Sequence, residues 1–115
     1  MSRRLLGTFF IAAGVNHFAI PRPYRMIVPP SLQDHAPAVV AASGVAEILG
    51  GAGVLFGPTR RLAGVWLIAV LAAVFPANLY MAREPTHFPR FPRWALYARL
   101  PMQPLMMVWA WRATR

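Results

Sequence analysis

Four apolar stretches take up most of this 115-residue chain and set the strongest limit on its fold. They cover residues 5–20, 38–56, 62–82 and 94–111. The middle two reach the about 20 helical residues that cross a hydrocarbon core, and flanking arginines extend the slightly short outer two. A soluble domain needs a polar face on every element, and residues 62–82 offer none. The chain is therefore predicted to be all-α, an integral membrane four-helix bundle forming one transmembrane domain over residues 1–115.

The charge pattern indicates membrane lipids, and not nucleic acid, as the charged partner. The formal net charge is +9, from 12 basic and 3 acidic residues, and every basic residue is arginine. The arginines lie at the ends of the apolar runs and in the loops, without a continuous basic stripe, so nucleic-acid binding is not expected. Contact with anionic headgroups explains the pattern better. A slight excess of arginines beside the termini and the short central loop predicts cytoplasmic termini.

Five polar residues inside the apolar runs are predicted to share one half of the bundle. Antiparallel connectivity brings the ends of helices one and three to the same side as the starts of helices two and four. His17, Asn78 and Arg99 fall a few residues inside that side, and Glu47 and Gln103 lie nearer mid-depth. Ionisable groups at bilayer depth are costly and mark functional sites by default. We therefore predict that these five side chains form a ligand-binding cluster.

Glycines and prolines support a packed bundle with an opening near this cluster. On helix two, Gly44 and Gly51 share a stripe with Glu47, and on helix one Gly7 and Gly14 form a similar stripe. Such small residues let neighbouring helices approach closely. Pro21 and Pro23 are predicted to end the first helix, and a loop containing Pro29 and Pro30 is predicted to reach Pro37 at the start of the second. Prolines inside helices three and four free backbone carbonyls and predict kinks that open a small polar cavity.

The same residues also have purely structural interpretations. In one such interpretation, Glu47 and Arg99 form an ion pair that fixes the register of their helices. His17 is then an ordinary interior histidine, and Asn78 and Gln103 are interhelical hydrogen-bond partners. No metal site is expected, because the chain has no cysteine and no short spacing of other metal ligands.

Six short motifs, in order along nearly the whole chain, carry a resemblance to a known family. They are residues 14–21 (GVNHFAIP), 27–30 (IVPP), 43–51 (SGVAEILGG), 59–63 (TRRLA), 75–78 (FPAN) and 99–103 (RLPMQ). On these motifs the chain resembles the DoxX-like family of small bacterial membrane proteins. The resemblance implies a four-helix bundle in the bacterial plasma membrane and an association with redox systems.

The resemblance and the polar cluster together suggest three functions. The first is an accessory or small-ligand binding membrane component, with a quinone-like ligand and a redox partner or a second copy of the chain. The second is a proton or small-solute transporter in which Glu47 titrates. The third is a purely structural assembly factor. Some relatives act through cysteines, which this chain lacks, and no autonomous catalytic or redox-active set is visible, so we do not expect an enzyme.

Overall fold

The protein is helical throughout the part described by a computed structural model, residues 2–83 and 93–115. For Asn78, Met81, Ala82, Arg93 and Leu96 the description covers the backbone alone. The described residues contain no β-strand. They form the α-helices α1 (Arg3–Ala19), α2 (Pro21–Met26), α3 (Ala36–Leu55), α4 (Arg60–Arg83) and α5 (Arg93–Ala113), and the 3-10 segments Pro30–His35 and Gly57–Thr59.

The four long helices α1, α3, α4 and α5 coincide with the four apolar runs, and each end lies within one turn of its predicted position. The prediction of an all-α fold is confirmed. The connection between the first two runs differs from the expected loop, because it contains α2 and a 3-10 segment. Pro21 and Pro23 were expected only to end the first helix. Proline at a first helical position is favourable, since the amide hydrogen it lacks has no intrahelical partner there.

The prolines Pro85, Pro89 and Pro92 predict an extended third connection, and this connection lies outside the described residues.

The short second connection is held by side chains that donate hydrogen bonds to the last carbonyls of α3. Arg3 Nη1 donates to the Val54 carbonyl at 2.9 Å. Thr59 Oγ1 donates to the Gly53 carbonyl at 2.7 Å. These bonds satisfy carbonyls that a helix end leaves without partners and tie the starts of α1 and α4 to α3.

Helices α1 and α3 meet backbone to backbone along the two predicted glycine stripes. A Cβ placed on Gly14 would lie 2.6 Å from the Gly44 carbonyl oxygen. Seven residues away along both helices, a Cβ on Gly51 would lie 2.6 Å from the Gly7 carbonyl oxygen. No other residue fits at these positions without moving a backbone, so the glycines set the distance between the two helices.

The buried apolar core lies toward one end of the molecule. Helix α3 packs against both α1 and α4, and α5 packs against α4. We call the half with the chain termini and the α3–α4 turn the terminal half, and the opposite half the cavity half. Most of the larger core cluster belongs to the terminal half, and its members are Leu6, Phe10, Val54, Ala63, Leu67, Leu71 and Ala110.

Within the described part of the chain, two helical stretches are long and apolar enough to cross a membrane. They are Pro30–Leu55, which includes α3, and Gly57–Ala77, which includes most of α4. They correspond to the middle two apolar runs of the sequence, whose lengths match the thickness of a bilayer. The described parts of α1 and α5 do not reach the same combination of length and hydropathy.

Candidate functional site

The cavity half contains a partly open cavity of about 450 Å³ to which every α-helix contributes. Most of its lining is aliphatic or aromatic carbon, from residues such as Phe9, Val40, Val74 and Met106. A smaller number of side chains bring polar atoms to it: His17, Tyr24, Ser43, Glu47, Arg99 and Gln103. An apolar chamber with a few convergent polar groups is the usual form of a small-molecule site.

The structure brings four of the five predicted site residues to this one cavity. His17, Glu47, Arg99 and Gln103 line it from α1, α3 and α5, which is the half of the molecule that antiparallel connectivity predicts. Asn78 lies on α4, but its side chain is outside the described part of the structure. Of the four, Arg99 is exposed, whereas His17 and Gln103 are buried.

His17 is held on three sides by its neighbours. Its Nδ1 lies 2.7 Å from the Ala13 carbonyl oxygen, and a carbonyl only accepts, so Nδ1 carries a proton and donates it there. Its Nε2 lies 3.5 Å from Ser43 Oγ on α3. The Tyr24 ring stacks on the imidazole, with 3.9 Å between centroids and 19° between planes. The orientation of the ring is therefore set by α1, α2 and α3 together.

Tyr24 is in turn fixed by a hydrogen bond from α1. Asn16 Nδ2 donates to Tyr24 Oη at 2.7 Å. Gln33 Nε2 donates to the Val28 carbonyl at 2.6 Å and to the Arg25 carbonyl at 2.9 Å, which holds the chain after α2 in place. The short helix α2 is thus attached to the end of α1 and forms part of the cavity wall.

Glu47 contacts His17 but does not receive its proton. Glu47 Oε2 lies 3.2 Å from His17 Nδ1, and the side chain of Glu47 is only 12% exposed. The Nδ1 proton is directed at the Ala13 carbonyl, and Oε2 is buried with no hydrogen-bond partner among the described residues. Arg99, the partner predicted for Glu47, lines the same cavity, and the ion pair between them stays a prediction.

Gln103 joins α5 to α4 within the buried part of the cavity. Its Nε2 donates to the Leu71 carbonyl at 2.9 Å, and its side chain is buried. The next carbonyl, that of Ala72, loses its helical donor because Pro76 has no amide hydrogen. Helix α4 nevertheless continues past Pro76 to Arg83. Gln103 therefore makes the kind of interhelical hydrogen bond that its structural interpretation predicts.

Leu71 and Gln103 also border a second, almost entirely apolar cavity of about 330 Å³ between α4 and α5. Its other lining residues are Ala72, Phe75, Leu100, Pro104 and Met107. Leu71 and Gln103, which share a hydrogen bond, therefore line both cavities. Pro104 interrupts the hydrogen bonding of α5 beside this second space.

A family model described as "domain of unknown function (DUF8561)" matches residues 6–114. The chain belongs to the DUF8561 family. No curated protein and no solved structure matches the chain at a significant level. The matched region runs from α1 to the end of α5, so the whole cavity lies within the DUF8561 region.

Two polar residues of this DUF8561 cavity, Tyr24 and Ser43, are absent from the predicted cluster. Ser43 had a usable signal, because it precedes Glu47 by four residues and must share its helix face. Tyr24 follows Pro21 and Pro23 in a segment expected to be a loop. The sequence gives no sign that this segment turns back over His17, because that depends on how α2 docks on α1 and α3.

The arrangement can hold a polar head group at the Glu47 end of an apolar chamber. The guanidinium of Arg99 carries five N–H donors and the Ser43 hydroxyl can donate or accept. Among the described residues, no three His, Cys, Asp or Glu side chains are placed to hold a metal ion. The described side chains of the cavity offer hydrogen bonding and charge to a ligand.

Proposed function

We propose that the chain is a four-helix integral membrane protein of the bacterial plasma membrane with cytoplasmic termini. The side chains that α1, α3, α4 and α5 present to the surroundings support this proposal. Leu5 is 62% exposed, Leu49 59%, Leu62 75% and Leu105 66%, one on each of these helices. Large apolar side chains exposed on every long helix are unfavourable in water and natural in contact with acyl chains.

The motifs that resemble DoxX-like proteins support the same architecture. Residues 14–21, 43–51 and 99–103 each contribute a polar side chain to the cavity. The resemblance is thus concentrated on positions that share a site. We therefore assign the cavity, and not the outer surface, as the functional part of the chain.

The function we propose is that of an accessory membrane component that binds a small amphipathic molecule with a quinone-like head group. The single observation that carries this proposal is the cavity of about 450 Å³, apolar for the most part, with Glu47, His17 and Arg99 at its lining. Its volume falls in the range of about 300–1,000 Å³ typical of ligand sites. Arg99 and Ser43 are the candidate donors to a carbonyl oxygen, since the Nδ1 proton of His17 is used by Ala13.

Electron transfer in such a system requires a partner. Quinone chemistry needs an electron donor or acceptor, and the described side chains supply neither. We propose that a redox protein or a second copy of this chain lies beside the cavity half in the membrane. The chain then holds or delivers the ligand, while the redox reaction takes place on the partner.

Binding of a short-chain benzoquinone to the purified protein in lipid nanodiscs tests this function. We expect saturable binding that weakens about tenfold in Arg99→Ala, because a hydrogen bond from a charged donor contributes roughly 1.5–3 kcal/mol. Arg83→Ala is the matched control, since Arg83 is an exposed arginine near the end of α4 outside the cavity lining. Absence of saturation, or equal weakening in both variants, would contradict the proposal.

A structural assembly role is the second candidate, and a specific observation favours it. The contact of His17 with Glu47 joins α1 to α3, and the hydrogen bond from Gln103 joins α5 to α4. Polar contacts of this kind hold transmembrane helices together. In this case substitutions at the cluster reduce stability and leave no separate loss of ligand binding.

A further inference from the structure

One atom in the cavity is left without the hydrogen bond that burial demands. Glu47 Oε2 is buried in the lining, and no described residue donates to it or accepts from it. Buried polar atoms in folded proteins almost always have a partner, and an exception calls for an explanation such as a bound molecule. The atom lies in a cavity large enough to hold one.

The polar groups that α1 and α2 bring to the cavity have partners other than Glu47 Oε2. The Nδ1 proton of His17 goes to the Ala13 carbonyl at 2.7 Å, although Oε2 is only 3.2 Å away. The other ring nitrogen of His17 is turned toward Ser43, at 3.5 Å from its hydroxyl. The Tyr24 hydroxyl accepts from Asn16. The local network on α1 and α2 is complete without Glu47 Oε2.

We infer that the ligand of the cavity carries a hydroxyl group that hydrogen-bonds to Glu47 Oε2. This inference rests on the proposed ligand-binding function and specifies the chemistry of its head group. A hydroxyl both donates and accepts, so it pairs with Oε2 whether Glu47 is ionised or protonated. A head group with carbonyl oxygens alone only accepts, and it cannot pair with an ionised carboxylate. A protonated Glu47 could donate to a quinone carbonyl as well, so for a quinone-like ligand the hydroquinone is the form that the cavity selects when Glu47 is ionised.

The inference is tested with an alkylated benzoquinone and its hydroquinone, which share ring and tail and differ in the two hydroxyl hydrogens. Binding of both is measured anaerobically with the full chain in lipid nanodiscs. We expect the hydroquinone to bind at least about tenfold more tightly to the wild type. In Glu47→Gln the amide supplies a donor as well as an acceptor, so the preference falls to about twofold or less. Asp34→Asn is the matched control, because Asp34 is an exposed acid outside the cavity lining, and it keeps the preference.

A second readout needs no variant. Infrared difference spectra of the wild type should show the Glu47 carboxyl or carboxylate band shifting when the hydroquinone binds, and a smaller shift with the quinone. An unshifted carboxyl region at saturating hydroquinone overturns the inference even where Glu47→Gln fails to fold.

The outcomes separate this inference from the function on which it rests. Equal or tighter binding of the quinone to the wild type overturns the hydroxyl requirement and leaves ligand binding intact. A hydroquinone preference that remains in Glu47→Gln also overturns the inference, because another residue must then bind the hydroxyl. Saturable binding of neither molecule rejects the proposed function and the inference together.

Discussion

The two halves of this molecule are built from the same four long helices and differ in how closely these helices pack. In the terminal half, side chains such as Leu6, Val54 and Leu67 are fully buried, and little space remains between the helices. In the cavity half, the same helices surround about 450 Å³ of space and polar groups such as Glu47. The difference shows that the closely packed core and the candidate binding cavity lie toward separate ends of the same helices.

Prolines distinguish the two halves, whereas glycines permit close contact in both. In the terminal half a Cβ on Gly50 would overlap Leu67, and one on Gly64 would overlap the buried Thr114. The cavity half has its own glycine contact, between Gly14 and Gly44, and it also contains Pro76 and Pro101, which interrupt backbone hydrogen bonding in α4 and α5. In the proposed membrane setting, acyl chains are as apolar as leucine, so close packing is one of the main contributions to helix association. The terminal half is therefore expected to dominate stability.

The strongest test of this contrast is Gly51→Ala on α3. The new methyl group meets the Gly7 carbonyl oxygen, which cannot move without the backbone of α1. We expect a loss of about 2 kcal/mol in unfolding free energy, since overpacking costs about 1–3 kcal/mol and the gain in helix propensity offsets part of it. The control is Gly57→Ala, because a Cβ there meets nothing within 4 Å. Unfolding in mixed micelles measures both, and equal losses would show that the close contact of α1 and α3 at Gly51 does not limit stability.

Leu67→Ala addresses side-chain packing in the same half. Leu67 is fully buried, whereas Leu62 on the same helix is 75% exposed. We expect Leu67→Ala to lower the unfolding free energy by about 1.5 kcal/mol, less than the usual 2–5 kcal/mol because lipid replaces water as the reference. Leu62→Ala should cost almost nothing. If Leu62→Ala lowers the unfolding free energy more than Leu67→Ala does, α4 does not pack as the structure shows.

Gln103→Leu tests the hydrogen bond that joins α4 and α5 in the cavity half. Loss of the 2.9 Å bond to the Leu71 carbonyl is expected to cost about 1 kcal/mol of unfolding free energy. The comparison variant is Met102→Leu, because the neighbouring Met102 is half exposed and has no hydrogen bond to lose. A cost for Gln103→Leu no greater than for Met102→Leu would show that this bond does not hold the helices together.

Glu47→Gln is expected to have the smallest effect on stability. Glu47 Oε2 already lacks a hydrogen bond among the described side chains, so the change should alter the unfolding free energy by less than about 0.5 kcal/mol. Thermal unfolding of wild type and variant in the same nanodiscs measures this. A loss larger than that of Gln103→Leu would favour the structural assembly role over ligand binding.

Much of the fold can be predicted from the sequence because long apolar runs with clear boundaries indicate helices directly. Apolar runs bounded by arginine, proline and glycine predict α1, α3, α4 and α5 to within a turn. The segment with α2 was predicted as a loop, since Pro21 and Pro23 both end one helix and begin another. Length and hydropathy support a membrane span most directly for α3 and α4.

The candidate site can also be predicted from the sequence only in part. Helical spacing places Glu47 on the glycine face of α3, and antiparallel connectivity places His17 in the same half. The sequence does not show which polar atoms meet. In one interpretation Glu47 pairs with Arg99, and this stays a prediction, whereas the structure shows a contact between Glu47 and His17 that the sequence did not indicate. Tyr24 entered the site through the docking of α2, which has no periodic signal.

By itself, the sequence determined that the chain is helical, where its long helices run and which half collects the polar residues. These properties follow from local periodicity and from the order of the helices. Only the tertiary structure decided that the Nδ1 proton of His17 goes to Ala13, that Glu47 Oε2 is left without it, and that Tyr24 covers the histidine. Such choices depend on distances of a few tenths of an ångström between separate helices, and no sequence spacing encodes them.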